Sequence, residues 1–160
     1  GRDLAVHIDA GSVFQSARSS GSHSAVLAFT REQQDFVFQR VPEQPVPSLL
    51  RGFSAPVNVR YDYTDSELTH LMAFDTDAFN RWEAGQALSI RILLEAVEKA
   101  RRERAIEVPS AFIEAMGRVI SDGSRDPAFA AECLSFRARA ISPNAWEWPI
   151  RMRSMRRACT

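Results

Sequence analysis

The chain has 160 residues, enough for one ordinary domain, or a small domain with part of a second, and enough to bury a real core. Its 20 basic and 20 acidic residues balance, and Cys133 and Cys159 are too few and too unpatterned for a disulfide framework or a zinc knuckle, so a reducing, cytoplasmic setting is expected. No apolar run is long enough to span a bilayer, and the opening GRDLAVHIDAG lacks the apolar centre of a signal peptide, so no membrane segment is expected.

The opening glycine has no methionine before it and runs straight into a strand-like pattern, which points to a segment of something longer. Leu4 to Asp9 alternates apolar and polar residues and ends at Ala10-Gly11, the pattern of a short strand and turn. Gln15 to His23 is polar, as a loop should be. Ser24–Phe29 and Asp35–Gln39 then read as two strands joined by Thr30 to Gln34, with aromatic and β-branched enrichment in support. Pro42, Pro45, Pro47 and Pro56 forbid a helix through the next stretch, QPVPSLLRGFSAPV, and confine it to extended or edge conformations. Val57 to Tyr61 is one more alternating strand. Four short strands are few for a closed sandwich, so the fold expected of residues 1–62 is a partial β-sandwich.

From Tyr63 the period becomes helical. Thr64-Asp65-Ser66-Glu67 offers a cap and an acidic first turn before Leu68, Leu71, Met72 and Phe74. Asp75-Thr76-Asp77 stops that helix and caps the next, which is expected from about Ala78 to Arg104. Pro109 suits the start of a third helix through Ile120, closed by Asp122-Gly123, and Asp126-Pro127 the start of a fourth that includes Leu134. The fold class is therefore α+β: a partial sandwich over residues 1–62, helices over 63–134 that could open a helical array, and a tail over 135–160.

The chemistry-bearing residues do not assemble a catalytic motif. His7, His23 and His70 never form the H-E-x-x-H spacing that would bind zinc, and each reads as structural or surface histidine. Cys133 has no evident base partner. Arg51-Gly52-Phe53 holds a lone glycine near prolines and signals a turn or bulge rather than a phosphate loop. Asp75 and Asp77 could be paired carboxylates, but a helix stop followed by a helix cap is the simpler account. The run Arg101-Arg102-Glu103-Arg104 interleaves glutamate and lacks an aromatic platform, which argues against nucleic acid. In Phe79-Asn80-Arg81-Trp82-Glu83 the aromatic pair lies three apart with flanking charge that could pair across to another element, so Phe53, Phe79, Arg81 and Trp82 are the expected interdomain contacts.

QPVPSLLRGFSAPVNV, then Tyr63 to Leu68, then FNRWEAGQALS, resemble the M1 family of zinc aminopeptidases. Gln34 to Phe38 and Asp126 to Glu132 extend the likeness, which covers roughly residues 25–134. The resemblance implies an immunoglobulin-like β-sandwich ending near Asp62 and, from Tyr63, the first helices of the domain that closes over the active site. It implies, for the whole enzyme, zinc as cofactor and peptides as substrates. The metal motif and the G-A-M-E-N segment that holds the peptide amine do not occur in the 160 residues, so no catalytic, metal or cofactor residue carries over, and the expected partners are the missing catalytic and helical domains.

Ser135 to Thr160 departs from that pattern, with six arginines against Glu147 alone, plus Trp146 and Trp148. As a stand-alone module, such a tail could contact nucleic acid or an acidic surface. A synonymous codon choice for the tail, read one base earlier, gives LPGESDIAQRLGMADPDALHAARVH, which is acidic, helix-compatible and similar to the family's continuation. The tail is thus expected to be a frameshifted reading, and sequencing the encoding DNA tests this: bases that do not yield the second string overturn it.

Overall fold

The computed structural model describes residues 24–39, 41–124 and 126–135, with the backbone of Ile150–Arg151. Residues 1–45 with 154–160 group as one unit and Val46–Arg153 as another. The strand expected at Leu4 to Asp9, His7, His23 and most of the arginine-rich tail lie outside the described residues.

In the first unit the predicted alternation appears in burial. Ala25, Leu27, Phe36 and Phe38 are half-buried, whereas Val26, Asp35 and Val37 face solvent. The rings of Phe29 and Phe36 meet edge to face at 5.0 Å, and Gln34 Oε1 accepts from the Thr30 backbone N–H at 3.1 Å across the polar connection. The expected strands at 24–29 and 35–39 do not form as ladders, and among these residues only Phe38 joins a bridge. Alternation fixes which face is apolar, but a ladder also needs a neighbour in register, which the local pattern does not encode. The strand expected over Val57 to Tyr61 shrinks to β1 (Val59–Arg60), which pairs in parallel with β2 (Ile150–Arg151), Val59 opposite Ile150 and Arg60 opposite Arg151.

The helical half follows its sequence signals closely. Helix α1 (Asp65–Phe74) begins with a reciprocal cap: Glu67 N–H donates to Thr64 Oγ1 at 3.2 Å, and Thr64 N–H donates to Glu67 Oε2 at 2.7 Å. Two otherwise orphaned donors are thereby satisfied. Helix α2 (Ala78–Arg101) is capped by Asp77, whose Oδ1 accepts from Asn80 N–H at 3.0 Å. Helix α3 (Ser110–Asp122) starts after Pro109, and α4 (Pro127–Leu134) starts under the cap of Asp126, whose Oδ1 accepts from Phe129 N–H at 2.9 Å. At the α3–α4 corner a side chain on Gly123 would bring its Cβ to 2.8 Å from Ala130 Cβ, so only glycine permits this approach.

Helix α2 stops three residues short of the expected Arg104. Glu103 turns left-handed at φ +52°, its N–H donates to Ala100 O at 3.0 Å, and Arg104 N–H donates to Lys99 O at 2.9 Å. This is the Schellman termination, usually announced by glycine, and the glutamate conceals it in the sequence.

Helix α1 packs on α2 and α3, and α4 on the same two helices. The shared core is Leu68, Leu71, Met72, Ala84, Leu88, Ala115, Val119 and Cys133, with Trp82, Phe112 and Phe129 against it. The far half of α2 differs, because Leu93, Leu94 and Val97 stand 52, 62 and 48% exposed. Among the described residues no helix is long and apolar enough to cross a membrane.

Glu103→Gly is expected to raise unfolding stability by about 1 kcal/mol, since it relieves a left-handed non-glycine residue at an exposed helix end. Urea denaturation followed by helical circular dichroism measures it, and a drop in midpoint would contradict the Schellman assignment.

Candidate functional site

The proline-rich stretch does not simply lead into the helices; it is fastened to the α1–α2 corner. Its tip is a single 3-10 turn, Arg51–Phe53, flanked by Leu50. Leu50, Gly52 and Phe53 all take positive φ, +51°, +61° and +55°, and only the glycine does so without steric cost. Two strained non-glycine residues in one turn require tertiary bonds to hold them.

Those bonds come from the corner. Arg51 Nη1 lies 2.6 Å from Asp75 Oδ1 and 2.9 Å from Ser48 Oγ, and Arg51 Nη2 donates to Thr76 Oγ1 at 2.6 Å. Gly52 N–H donates to Asp77 Oδ2 at 2.8 Å. From the start of α2, Asn80 Nδ2 donates to Ser48 Oγ at 2.9 Å and to Leu49 O at 2.7 Å. Tyr63 Oη donates to Pro47 O at 2.7 Å. Burial pushes the Tyr63 phenol well above its ordinary value, with Tyr61, Asp75 and Glu67 adding to the shift, so it stays a donor.

The two aspartates divide the work. Asp75 Oδ1 takes Arg51 and the Asp77 N–H, at 2.8 Å, while its side chain is only 1% exposed. Asp77 caps α2 with one oxygen and holds the turn with the other. Burial alone would raise the Asp77 carboxyl, but N–H donation from Asn80 and Gly52, with the Arg51 charge and Phe79 N–H, holds it below the usual carboxylate range. The stop-and-cap expectation thus describes the local roles, and the longer reach to Arg51 and Gly52 is what it omits.

The four expected contact residues separate. Phe53 meets Phe79 with ring centroids 4.6 Å apart, and Phe79 meets Trp82 at 5.7 Å, so three of them form one aromatic row. Arg81 leaves that row. Its Nε donates to Met72 O at 2.8 Å, its Nη2 lies 2.6 Å from Asp122 Oδ2, and its guanidinium sits 5.6 Å from the Phe129 ring centre. Sequence reasoning missed Arg51, Asp75 and Asn80 as partners, because no local spacing links residues 24 to 32 positions apart.

The remaining candidates stay ordinary. His70 is exposed, its ring 5.1 Å from Phe74, and Cys133 is buried, with burial and Glu132 raising its thiol against the opposing pull of Arg81. Zinc, which the resemblance implies for the whole enzyme, finds no fitting donor set: among the described residues no three of His, Cys, Asp and Glu converge on one point.

An extended, proline-rich segment is thus fastened to the first corner of a set of packed helices. The DUF3458 domain of unknown function with an Ig-like fold matches residues 3–62, and its companion DUF3458_C, described as ARM repeats, matches residues 65–144. The chain belongs to this family and is a segment of the M1 aminopeptidase type. Aminopeptidase N of Escherichia coli is 38% identical over 117 residues, 72% of this chain and 13% of its own length. Aminopeptidase N of Caulobacter vibrioides is 39% identical over 110 residues, 69% of this chain and 12% of its own length. The crystal structure of Legionella pneumophila aminopeptidase A in complex with aspartic acid matches 64% of this chain and 13% of its own, at 28% identity and a TM-score of 0.49. The chain thus spans about one eighth of the length of these relatives.

Arg51→Ala leaves a buried carboxylate unpaired and is expected to cost about 2–3 kcal/mol, whereas Asp75→Ala frees a one-third exposed guanidinium that water can serve and costs roughly 1 kcal/mol less. Denaturant midpoints of the two variants check the order. Because the Asp77 carboxyl is depressed in the folded chain, its contribution is present above pH about 4 and lost as pH falls through the folded value. Asp77→Asn, which keeps the cap, should flatten stability against pH in the acid range.

Proposed function

We propose that this chain is the non-catalytic junction of an M1-type aminopeptidase: the end of an Ig-like spacer fixed to the first helices of the domain that closes over the active site. The observation that carries this reading is the latch itself, in which Arg51, Gly52 and Leu49 of the proline segment bond Asp75, Asp77 and Asn80 at the first helical corner. All of these residues lie in the unit Val46–Arg153, so the latch ties the proline segment to the helices that follow it. Phe53, Phe79, Arg81 and Trp82 serve in this reading as contacts that fix the spacer against the helices.

Removal of N-terminal residues from peptides, with zinc polarising the carbonyl and activating water, belongs to the whole enzyme in the cytoplasm. Its metal and amine-binding motifs lie outside the 160 residues. The partners of this chain are accordingly the catalytic domain and the rest of the helical domain. The similarity to aminopeptidase N over most of this chain, but only about one eighth of those proteins, supports that division.

The purified chain, supplied with zinc and L-alanine p-nitroanilide, is expected to release no nitroaniline above the buffer blank. Hydrolysis that a chelator abolishes and zinc restores would overturn the reading. Limited proteolysis supplies a second check: the latch should shield residues 47–62 in the parent chain, and Arg51→Ala should open them to cleavage before the helices are cut.

A further inference from the structure

Between α2 and α3 the chain runs from Arg102 to Pro109 without helix, and every residue of that connection is exposed. Up to Arg104 the backbone is still tied to α2, by Glu103 N–H to Ala100 O and Arg104 N–H to Lys99 O. Beyond it the ties stop. Among the described residues no hydrogen bond reaches Ala105, Ile106, Glu107 or Val108 before the Pro109 carbonyl, which accepts from Phe112 and Ile113 N–H at the start of α3. Four successive residues therefore keep their backbone groups free to pair with a second chain, and Ile106 and Val108 add exposed apolar side chains.

An endoprotease takes its substrate as an extended strand, so the bond it cuts is one whose neighbours are exposed and unpaired. Arg104 leads directly into such a stretch. Arg101 and Arg102 pair with Glu98, whereas Arg104 has no carboxylate partner among the described residues. The other arginines of the helical half are held: Arg51 by Asp75, Arg81 by Asp122, Arg91 by Asp65, and Arg118 over the Phe74 ring. We propose that Arg104–Ala105 is a processing site for an endoprotease whose primary pocket carries a carboxylate. Water hydrolyses that one peptide bond, which leaves a carboxylate on Arg104 and a free amine on Ala105. Docking needs only the end of α2 to open, and opening releases the left-handed Glu103.

Such a cut does not dismantle the helices. Leu68, Leu71, Met72, Ala84 and Leu88 precede the bond, Ala115, Val119 and Cys133 follow it, and together they form one core. Arg81 also spans the cut, through Asp122 and the Phe129 ring. The product is a nicked pair that stays together. The site needs only α2, α3 and their connection, so it does not rest on the aminopeptidase reading.

The test is limited trypsin digestion of the 160-residue chain without denaturant, read by intact mass and gel filtration. Within residues 46–135 the first cut should follow Arg104, at least about tenfold faster than cuts at Arg91 or Arg118, whose bonds need local helix unfolding. The pieces on either side should co-elute until urea parts them. Arg104→Gln should abolish that cut with helix content unchanged, and Arg104→Lys should restore it. A connection left intact, a first cut elsewhere in residues 46–135, pieces that separate without denaturant, or cleavage between α2 and α3 that proceeds unslowed in Arg104→Gln would each overturn the proposal.

Discussion

The ion pair between Arg51 and Asp75 is the constraint on which the remaining geometry depends. Asp75 is shut away from water and Arg51 is two-thirds buried, so each offsets the other's lost hydration, and removing either leaves the remaining charge without its counterpart. Arg51 in turn stays in place only if the chain around it accepts left-handed conformations at Leu50, Gly52 and Phe53. Strain in the turn and charge burial in the corner are therefore coupled, and each explains why the other persists. The 3-10 turn would have little reason to survive in an isolated peptide, since its three residues supply one backbone hydrogen bond, Phe53 N–H to Leu50 O at 3.1 Å.

A second arginine performs the same service deeper in the bundle. Arg81 reaches a carbonyl near the end of α1, the last residue of α3 and an aromatic ring on α4, so one side chain on α2 ties together all four helices. Guanidinium suits both roles because it offers several donors in one plane and keeps its charge when partly buried. Lysine would supply the charge without the fork. The α1–α2 corner thus has two polar anchors set on either side of Asp75-Thr76-Asp77, while the apolar core of Leu68, Met72, Leu88 and Val119 provides the bulk of the cohesion.

What the sequence displayed, and what it hid, follows from the range of the interactions. Capping is local: Thr64 with Glu67, Asp77 with Asn80 and Asp126 with Phe129 span three residues each, and three of the four helix starts are legible from them, the start of α3 being signalled by Pro109 instead. The α+β class and the Ig-like segment followed by helical repeats were equally accessible, the latter through a motif order that the family matches share. The end of α2 was not, because Glu103 occupies a position where glycine usually signals the stop. The strand ladders of residues 24–39 were overread, since period-2 burial occurs there with only Phe38 in a bridge. The latch was invisible for a different reason: Arg51 and Asp75 stand 24 positions apart, and no periodicity of one segment carries information about a partner in another.

Leu93, Leu94 and Val97, turned outward on the far half of α2, have a consequence for the life of the polypeptide in a cell. A helix that shows adjoining aliphatic side chains to water is the pattern that holdase chaperones and quality-control proteases bind.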